Sequence, residues 1–192
     1  MAERLGDRAI RFPRPQTSAR AIVSAVRAWP GVVDVVVARD TVAAYFDREP
    51  QIDPANIAAL ACANEPVEPV RDVELRVIYD GVDLEHVARA TSLGARDLAK
   101  LHASATYVVE MMGFAPGFAY MSGLDERLQL PRRETPRERV PAGSLALADA
   151  FTAIYPFESP GGWHIIGRVV GVRMFDARGP LLRLGDRVRF VS

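Results

Sequence analysis

Between Met111 and Arg168 the chain reads MMGFAPGFAYMSGLDERLQLPRRETPRERVPAGSLALADAFTAIYPFESPGGWHIIGR. Glycines recur at 113, 117, 123, 143, 161, 162 and 167, and prolines at 116, 131, 136, 141, 156 and 160. Glycine admits backbone conformations and close approaches that other residues resist. Proline fixes φ and removes a donor, so it interrupts regular structure and stiffens loops. A stretch punctuated this often folds as short strands and shaped turns, the kind of rigid loop surface on which proteins place binding chemistry. Arg132, Arg133, Arg137 and Arg139 crowd the middle of it.

The 192 residues suit one sizeable domain or two small ones. With 49% hydrophobic and 25% charged residues, the composition is that of an ordinary globular protein with enough apolar content for a core. The formal net charge of zero argues against nucleic acid or an anionic membrane as the main partner. The first residues, MAERLGDRAI, lack an apolar leader core, and no apolar run approaches the ~20 residues of a membrane span, so a cytoplasmic location is expected. Cys62, the single cysteine, reads as a small buried hydrophobe in AALACAN. Lys100 is the only lysine, which excludes any mechanism needing two.

The first third reads as a small α/β unit. Arg8–Phe12 is a short strand, Thr17 or Ser18 caps a helix ending at Pro30-Gly31, and Val32–Ala38 and Thr41–Phe46 form a hairpin. Asp53-Pro54 opens a helix through Ala63. Asn64–Pro69 is a linker, giving domains at residues 1–68 and 69–192. Beyond it, Val73–Tyr79 alternates as a half-buried strand, Asp83 caps a helix closed by Gly94, a second helix runs from Ala95 to His102, and Thr106–Met112 is a strand. Val169–Phe175, Leu181–Leu184 and Arg187–Val191 are expected strands, the last two joined as a hairpin at Gly185-Asp186. Many strands with two short helices point to a closed or nearly closed β-barrel, so the fold class is α+β. A helix-turn-helix reading of the two helices at SLGAR fails on the scarcity of basic residues.

Familiar catalytic signatures are missing. No phosphate-binding loop ends in Gly-Lys-Ser/Thr, no G-x-G-x-x-G follows a strand, and Ser144 lies in AGSLA rather than G-x-S-x-G. His86, His102, His164 and Cys62 lie at no zinc-ligand spacing, and His86 and His102 read as helix-surface or core-margin residues. Two segments remain as candidates. In PRRETPRERVP, converging guanidinium forks suit carboxylate or phosphate oxygens, unless they pair with Glu134 and Glu138 of their own loop. Arg139, beside Val140-Pro141, is the one expected to be buried. In ESPGGWHIIGR, Ser159, Gly161 and Gly162 could turn backbone N–H groups toward an oxyanion, Glu158 could serve as a base, and His164 could exchange a proton near neutral pH. The bland alternative is a strand-entry turn with Trp163 in the core. Phe114, Pro116, Phe118 and Tyr120 form either a pocket wall or a core plug.

Together these residues resemble a known family. G-F-x-P-G-F-x-Y-x-x-G-L, P-R-[RK]-x-x-P-R-x-x-V-P-x-G-S and I-Y-P-x-x-S-P-G-G-W are matched at every fixed position from Gly113 to Trp163. That pattern is similar to allophanate hydrolase subunit 1, a family now mostly assigned as the B subunit of 5-oxoprolinase, which includes a KipI-like inhibitor of a sporulation histidine kinase. The resemblance implies a small N-terminal α/β domain followed by a cyclophilin-like β-barrel. It implies one member of a complex that opens 5-oxo-L-proline to L-glutamate. The other members would be a C subunit of biotin-dependent carboxyltransferase-like barrel architecture and an A subunit. It also implies ATP, with Mg, as co-substrate at a site in this chain or a partner. Arg132, Arg139, Glu158, Ser159, Gly161 and Gly162 are then the expected catalytic residues. Phe114, Pro116, Phe118, Tyr120, Arg137 and His164 are the expected substrate-binding ones, and no metal ligand is expected in the chain. The alternatives are allophanate hydrolysis, inhibition of a sensor histidine kinase, and peptide binding of the cyclophilin type. The family commonly carries glycine where this chain has Ala148 and Ala153.

Overall fold

The computed structural model describes residues 2–192, and the chain divides into two compact units between Pro69 and Val70. The first holds a four-stranded antiparallel sheet of β1 (Glu3–Arg4), β2 (Ala9–Pro13), β3 (Val32–Val37) and β4 (Thr41–Phe46) in the order β1-β2-β4-β3. Strand β4 alternates as its β-branched and small residues require, with Val42, Ala44 and Phe46 buried. Helix α1 (Ala19–Arg27) is capped by the Ser18 hydroxyl, which accepts from the Ala21 N–H at 3.1 Å, and it buries Ala19, Ala21, Ile22 and Val26. Helix α2 (Pro54–Ala59) is capped by Asp53 and runs into a 3-10 turn, Leu60–Cys62, that buries Leu60. Cys62 itself is exposed, against the sequence expectation, because Leu60 takes the inward position of that turn.

The second unit is a closed seven-stranded barrel. Its strands are β5 (Asp72–Ile78), β6 (Thr106–Met112), β7 (Ala119–Ser122), β9 (Ser144–Ala148), β10 (Phe151–Ile154), β12 (His164–Val169) and β15 (Arg187–Val191). They close in the order β10-β7-β6-β15-β5-β12-β9, and β9 pairs with β10. Strand β8 (Arg137–Val140) and β11 (Ser159–Gly161) form a separate two-stranded ladder, and β13 (Phe175–Asp176) and β14 (Gly179–Pro180) a small hairpin. Two helices, α3 (Leu84–Ala90) and α4 (Ala95–Ser104), connect β5 to β6. Helix α3 stops at Ala90, with Ser92 just beyond it in the left-handed conformation (φ 56), and Gly94 instead caps the start of α4.

The end of the chain differs from the reading by run composition. The strand lies at His164–Val169, ahead of the expected Val169–Phe175, and Leu181–Leu184 is not a strand. No hairpin forms at Gly185-Asp186: β15 runs parallel to β5 and antiparallel to β6. Asp186 is held instead by Arg71, whose guanidinium also donates to the Leu181 carbonyl at 3.0 Å. That buried carboxylate accepts the Arg183 N–H as well, at 2.7 Å, which fixes the entry of the last strand.

Alternation along the strands separates two apolar clusters. One gathers Leu75, Val77, Val109, Leu145, Leu147, Ile154, Ile166, Val188 and Phe190 with Val87 and Leu98 of the helices. The other gathers Phe118, Val140, Ala146, Ala148, Ala153, Tyr155, Trp163 and Ile165. Ala148 and Ala153 are both fully buried in the second cluster, where their methyls fill space.

His102, expected at a surface or core margin, lies wholly buried among Tyr107 and Phe190, with ring centroids 5.1 and 5.0 Å away. Its polar atoms are satisfied in a defined order. The Thr152 hydroxyl donates to the Ala146 carbonyl at 3.0 Å, so its oxygen accepts from His102 Nε2 at 3.0 Å. His102 Nδ1 then accepts from the Tyr79 hydroxyl at 2.8 Å. Burial pushes the His102 imidazole down to about 3 and the Tyr79 phenol up.

Candidate functional site

Three chain segments meet on the barrel unit: the turn before α3, the arginine loop, and the Ser159–Ile165 run. Asp83 joins them. Its side chain makes no cap bond to α3, although the sequence places it as the cap. Instead Oδ1 accepts from Arg137 Nη2 at 2.6 Å and from Arg133 Nη1 at 3.1 Å, while Oδ2 accepts the Ile165 N–H at 2.7 Å. The carboxylate is buried, its side chain 5% exposed, whereas Arg133 and Arg137 are 31% and 23% exposed. Burial alone would push the Asp83 carboxyl up. The Arg137 hydrogen bond, the Ile165 N–H and the Arg137 and Arg133 charges outweigh it and hold the group below the ordinary aspartate range.

Close backbone approach makes this contact possible. The Asp83 N–H donates to the Ile165 carbonyl at 2.9 Å, and the Gly81 N–H to that of Ile166 at 3.2 Å. A Cβ on Gly81 would fall 2.3 Å from the Ile165 carbonyl oxygen, so only glycine lets this turn lie against β12. On the other side the Arg133 N–H donates to the Gly162 carbonyl at 2.8 Å, and His164 Nε2 donates to the Pro131 carbonyl at 2.9 Å. The His164 ring stacks on that of His86, centroids 5.6 Å apart and planes 17° from parallel. With Nε2 carrying the proton, His164 Nδ1 is an acceptor, buried and without a partner.

The arginine loop does not pair with its own glutamates. Arg133 and Arg137 go to Asp83, Arg132 to Asp149 at 3.7 Å, and Arg139 to Glu158 at 2.8 Å. Arg139, the one expected to be buried, is 79% exposed, and its partner Glu158 is itself at the surface. Arg132 lies 6.0 Å from the centroid of the Trp163 ring. Ser159 and Gly161 do not form an open turn with N–H groups spread for an anion. They pair as a short strand, Ser159 with Val140 and Gly161 with Arg137, because the arginine loop supplies a second strand. Gly161 is packed too tightly for a side chain: a Cβ there would fall 2.1 Å from the Tyr155 hydroxyl.

Phe118 is buried at the centre of the aromatic cluster, with edge contacts to Phe114, Tyr120, Tyr155 and Trp163 at centroid distances of 5.2, 4.9, 5.3 and 5.7 Å. It is core. Tyr120 is half-buried, Pro116 is exposed, and Phe114 is 61% exposed at φ 68, a conformation rare outside glycine.

The structure therefore brings Arg137, Ser159, Gly161, Gly162 and His164 to one corner, and adds Arg133, Asp83 and His86. Arg132 and the Arg139–Glu158 pair stand at its surface. Asp83 escapes a reading of the sequence because an aspartate before a helix reads first as a cap, and one sequence carries no signal to separate the two uses.

Residues 5–181 match the carboxyltransferase domain, subdomain C and D. Over 126 residues the chain is 41% identical to the B subunit of 5-oxoprolinase from Bacillus subtilis (strain 168), covering 63% of this chain and 52% of that protein. Over 135 residues it is 44% identical to the B subunit of 5-oxoprolinase from Escherichia coli O157:H7, covering 67% and 62%. The chain thus spans between half and two thirds of the length of these curated relatives. The crystal structure of TTHA0988 is similar at a TM-score of 0.77 and 35% identity, over 96% of this chain and 39% of that one. The chain belongs to the carboxyltransferase domain family, subdomains C and D, in agreement with the resemblance of its motifs to the B subunits of 5-oxoprolinase.

Proposed function

We propose that this chain is the B-type component of a 5-oxoprolinase system, which opens 5-oxo-L-proline to L-glutamate at the expense of ATP together with a C-type and an A-type component. The observation that carries the reading is the 41–44% identity to proteins named as B subunits of 5-oxoprolinase. ATP, with Mg, would supply the phosphoryl group that activates the lactam oxygen before water opens the ring.

The residues present fit a negatively charged ligand group. Two guanidiniums share the single Asp83 carboxylate, so the corner keeps an excess of positive charge. Arg133 and Arg137 replace Arg132 and Arg139 as the charge-bearing pair. Arg139 and Glu158 act at the rim, Ser159 with Gly161 and Gly162 forms the wall beside Arg137, and Phe114 is the exposed aromatic nearest the buried cluster. His164 acts through its free Nδ1 as an acceptor.

The test is reconstitution. The chain co-purified with its candidate C-type and A-type partners is expected to hydrolyse ATP only when 5-oxoproline is present, and Arg137→Ala is expected to lower that rate without dissociating the complex. A complete, folded complex that turns over no 5-oxoproline overturns the reading.

A further inference from the structure

Among the described residues, four buried side-chain atoms have no hydrogen-bond partner: Arg133 Nε, Arg137 Nη1, Ser159 Oγ and His164 Nδ1. Buried polar groups in folded proteins are almost always paired, so four orphans in one corner of the fold ask for an explanation. Three of them belong to one small piece of structure. Arg137 lies on β8, Ser159 on the β11 strand that pairs with it, and Arg133 is tied to the same piece by its N–H on Gly162 and by sharing Asp83 with Arg137. All three can donate.

Asp83 accounts for only one nitrogen of each guanidinium, Nη1 of Arg133 and Nη2 of Arg137. Its second oxygen accepts the Ile165 N–H, and its single negative charge cannot neutralise both cations. Glu134 and Glu138 are exposed, and Glu158 is engaged with Arg139. The result is surplus positive charge beside unpaired donors, held by a buried carboxylate that fixes where the guanidiniums point. A guanidinium fork is shaped for two oxygens of one anion.

We propose that Arg133, Arg137 and Ser159, with Asp83 as the positioning residue, form a binding site for the oxyanion end of a small ligand, a carboxylate or a phosphoryl group. The choice of ligands to try rests on the 5-oxoprolinase reading; the site itself rests on the orphaned donors. A carboxylate would come from the substrate or its product, a phosphoryl group from a nucleotide or a phosphorylated intermediate.

The experiment is calorimetric titration of the purified chain with 5-oxo-L-proline, L-glutamate and inorganic phosphate at constant ionic strength. Saturable binding of at least one is expected, and the order of affinities separates carboxylate from phosphoryl. Arg133→Ala and Arg137→Ala should each weaken it tenfold or more, and Ser159→Ala severalfold. Arg178→Ala, at an exposed arginine paired with Asp176, should leave it unchanged. Asp83→Asn should weaken binding like the arginine variants, and Asp83→Glu should restore part of it at equal melting temperature. Absence of saturable binding to any of the three by the folded wild-type chain overturns the proposal, as does an equal loss from Arg178→Ala. Should the arginine variants fail to fold, unchanged affinity in Ser159→Ala overturns it. Anion binding in a chain whose complete complex lacks turnover would sink the 5-oxoprolinase reading and leave this site standing, and the reverse pattern would do the opposite.

Discussion

His102 makes the barrel acid-labile in a calculable way. Its ring is wholly buried, hydrogen-bonded at both nitrogens and held neutral, with its pKa pushed down from 6.5 to about 3. In the unfolded chain the same ring takes up a proton that the folded barrel refuses. The stability it contributes is therefore fully present above pH 6.5 and falls as the pH drops from there toward 3. One proton corresponds to about 1.4 kcal/mol per pH unit, hence about 2 kcal/mol by pH 5 and on the order of 5 kcal/mol at the acid limit. Urea unfolding at pH 7, 6 and 5 measures this, followed by Trp163 fluorescence in a Trp29→Phe background so that the barrel unit alone reports. His102→Gln keeps an acceptor for the Tyr79 hydroxyl and a donor for Thr152 but does not titrate. It should cost about 1–3 kcal/mol at pH 7 through lost contact with Phe190 and Tyr107. Its pH slope should be shallower by close to one proton. Equal slopes in the two proteins would refute the reasoning, whatever their absolute stabilities.

Asp83→Asn should destabilise the barrel unit by about 2–3 kcal/mol, less than for a fully buried pair because both arginines retain some water; limited proteolysis should then cut first between residues 131 and 141. Arg139→Ala, by contrast, should change stability by under about 0.5 kcal/mol, since its pair with Glu158 is exposed on both sides; a larger loss in a melting curve would contradict that placement. Gly161→Ala should cost about 2 kcal/mol by driving a methyl into the Tyr155 ring. Combined with Tyr155→Phe the two effects should add to less than their sum, because removing the hydroxyl relieves the nearest clash; strict additivity in a double-mutant cycle would argue against the contact.

Local patterning made much of this fold legible. The period-two runs of the first sheet, the Ser18 and Asp53 caps and the Thr106–Met112 strand follow from neighbours within a few residues. Cys62 is misread locally, by its place in a three-residue turn, but two other failures are non-local. Gly185-Asp186 looks like a hairpin until Arg71, far away in sequence, claims Asp186. His102 resembles a helix-surface residue until β10 brings Thr152 to it. In the arginine loop, motif spacing does not say which guanidiniums turn inward: Arg133 and Arg137 do, and Arg139 stays at the surface. Which guanidinium turns inward is decided by Asp83, and nothing near residues 131–141 announces it.

The closing of the barrel has a temporal consequence. Strand β15 lies between β5 and β6, pairing Arg187 with both Asp72 and Val108. Of the barrel's strands it is the last to leave the ribosome. Until it emerges, the six earlier strands can form only an open sheet whose two bare edges, β5 and β6, face each other across a missing staple. During synthesis the nascent chain therefore carries two unpaired edges of the kind that recruit foreign strands. Its safest interval begins only when the final pairings snap the seam shut.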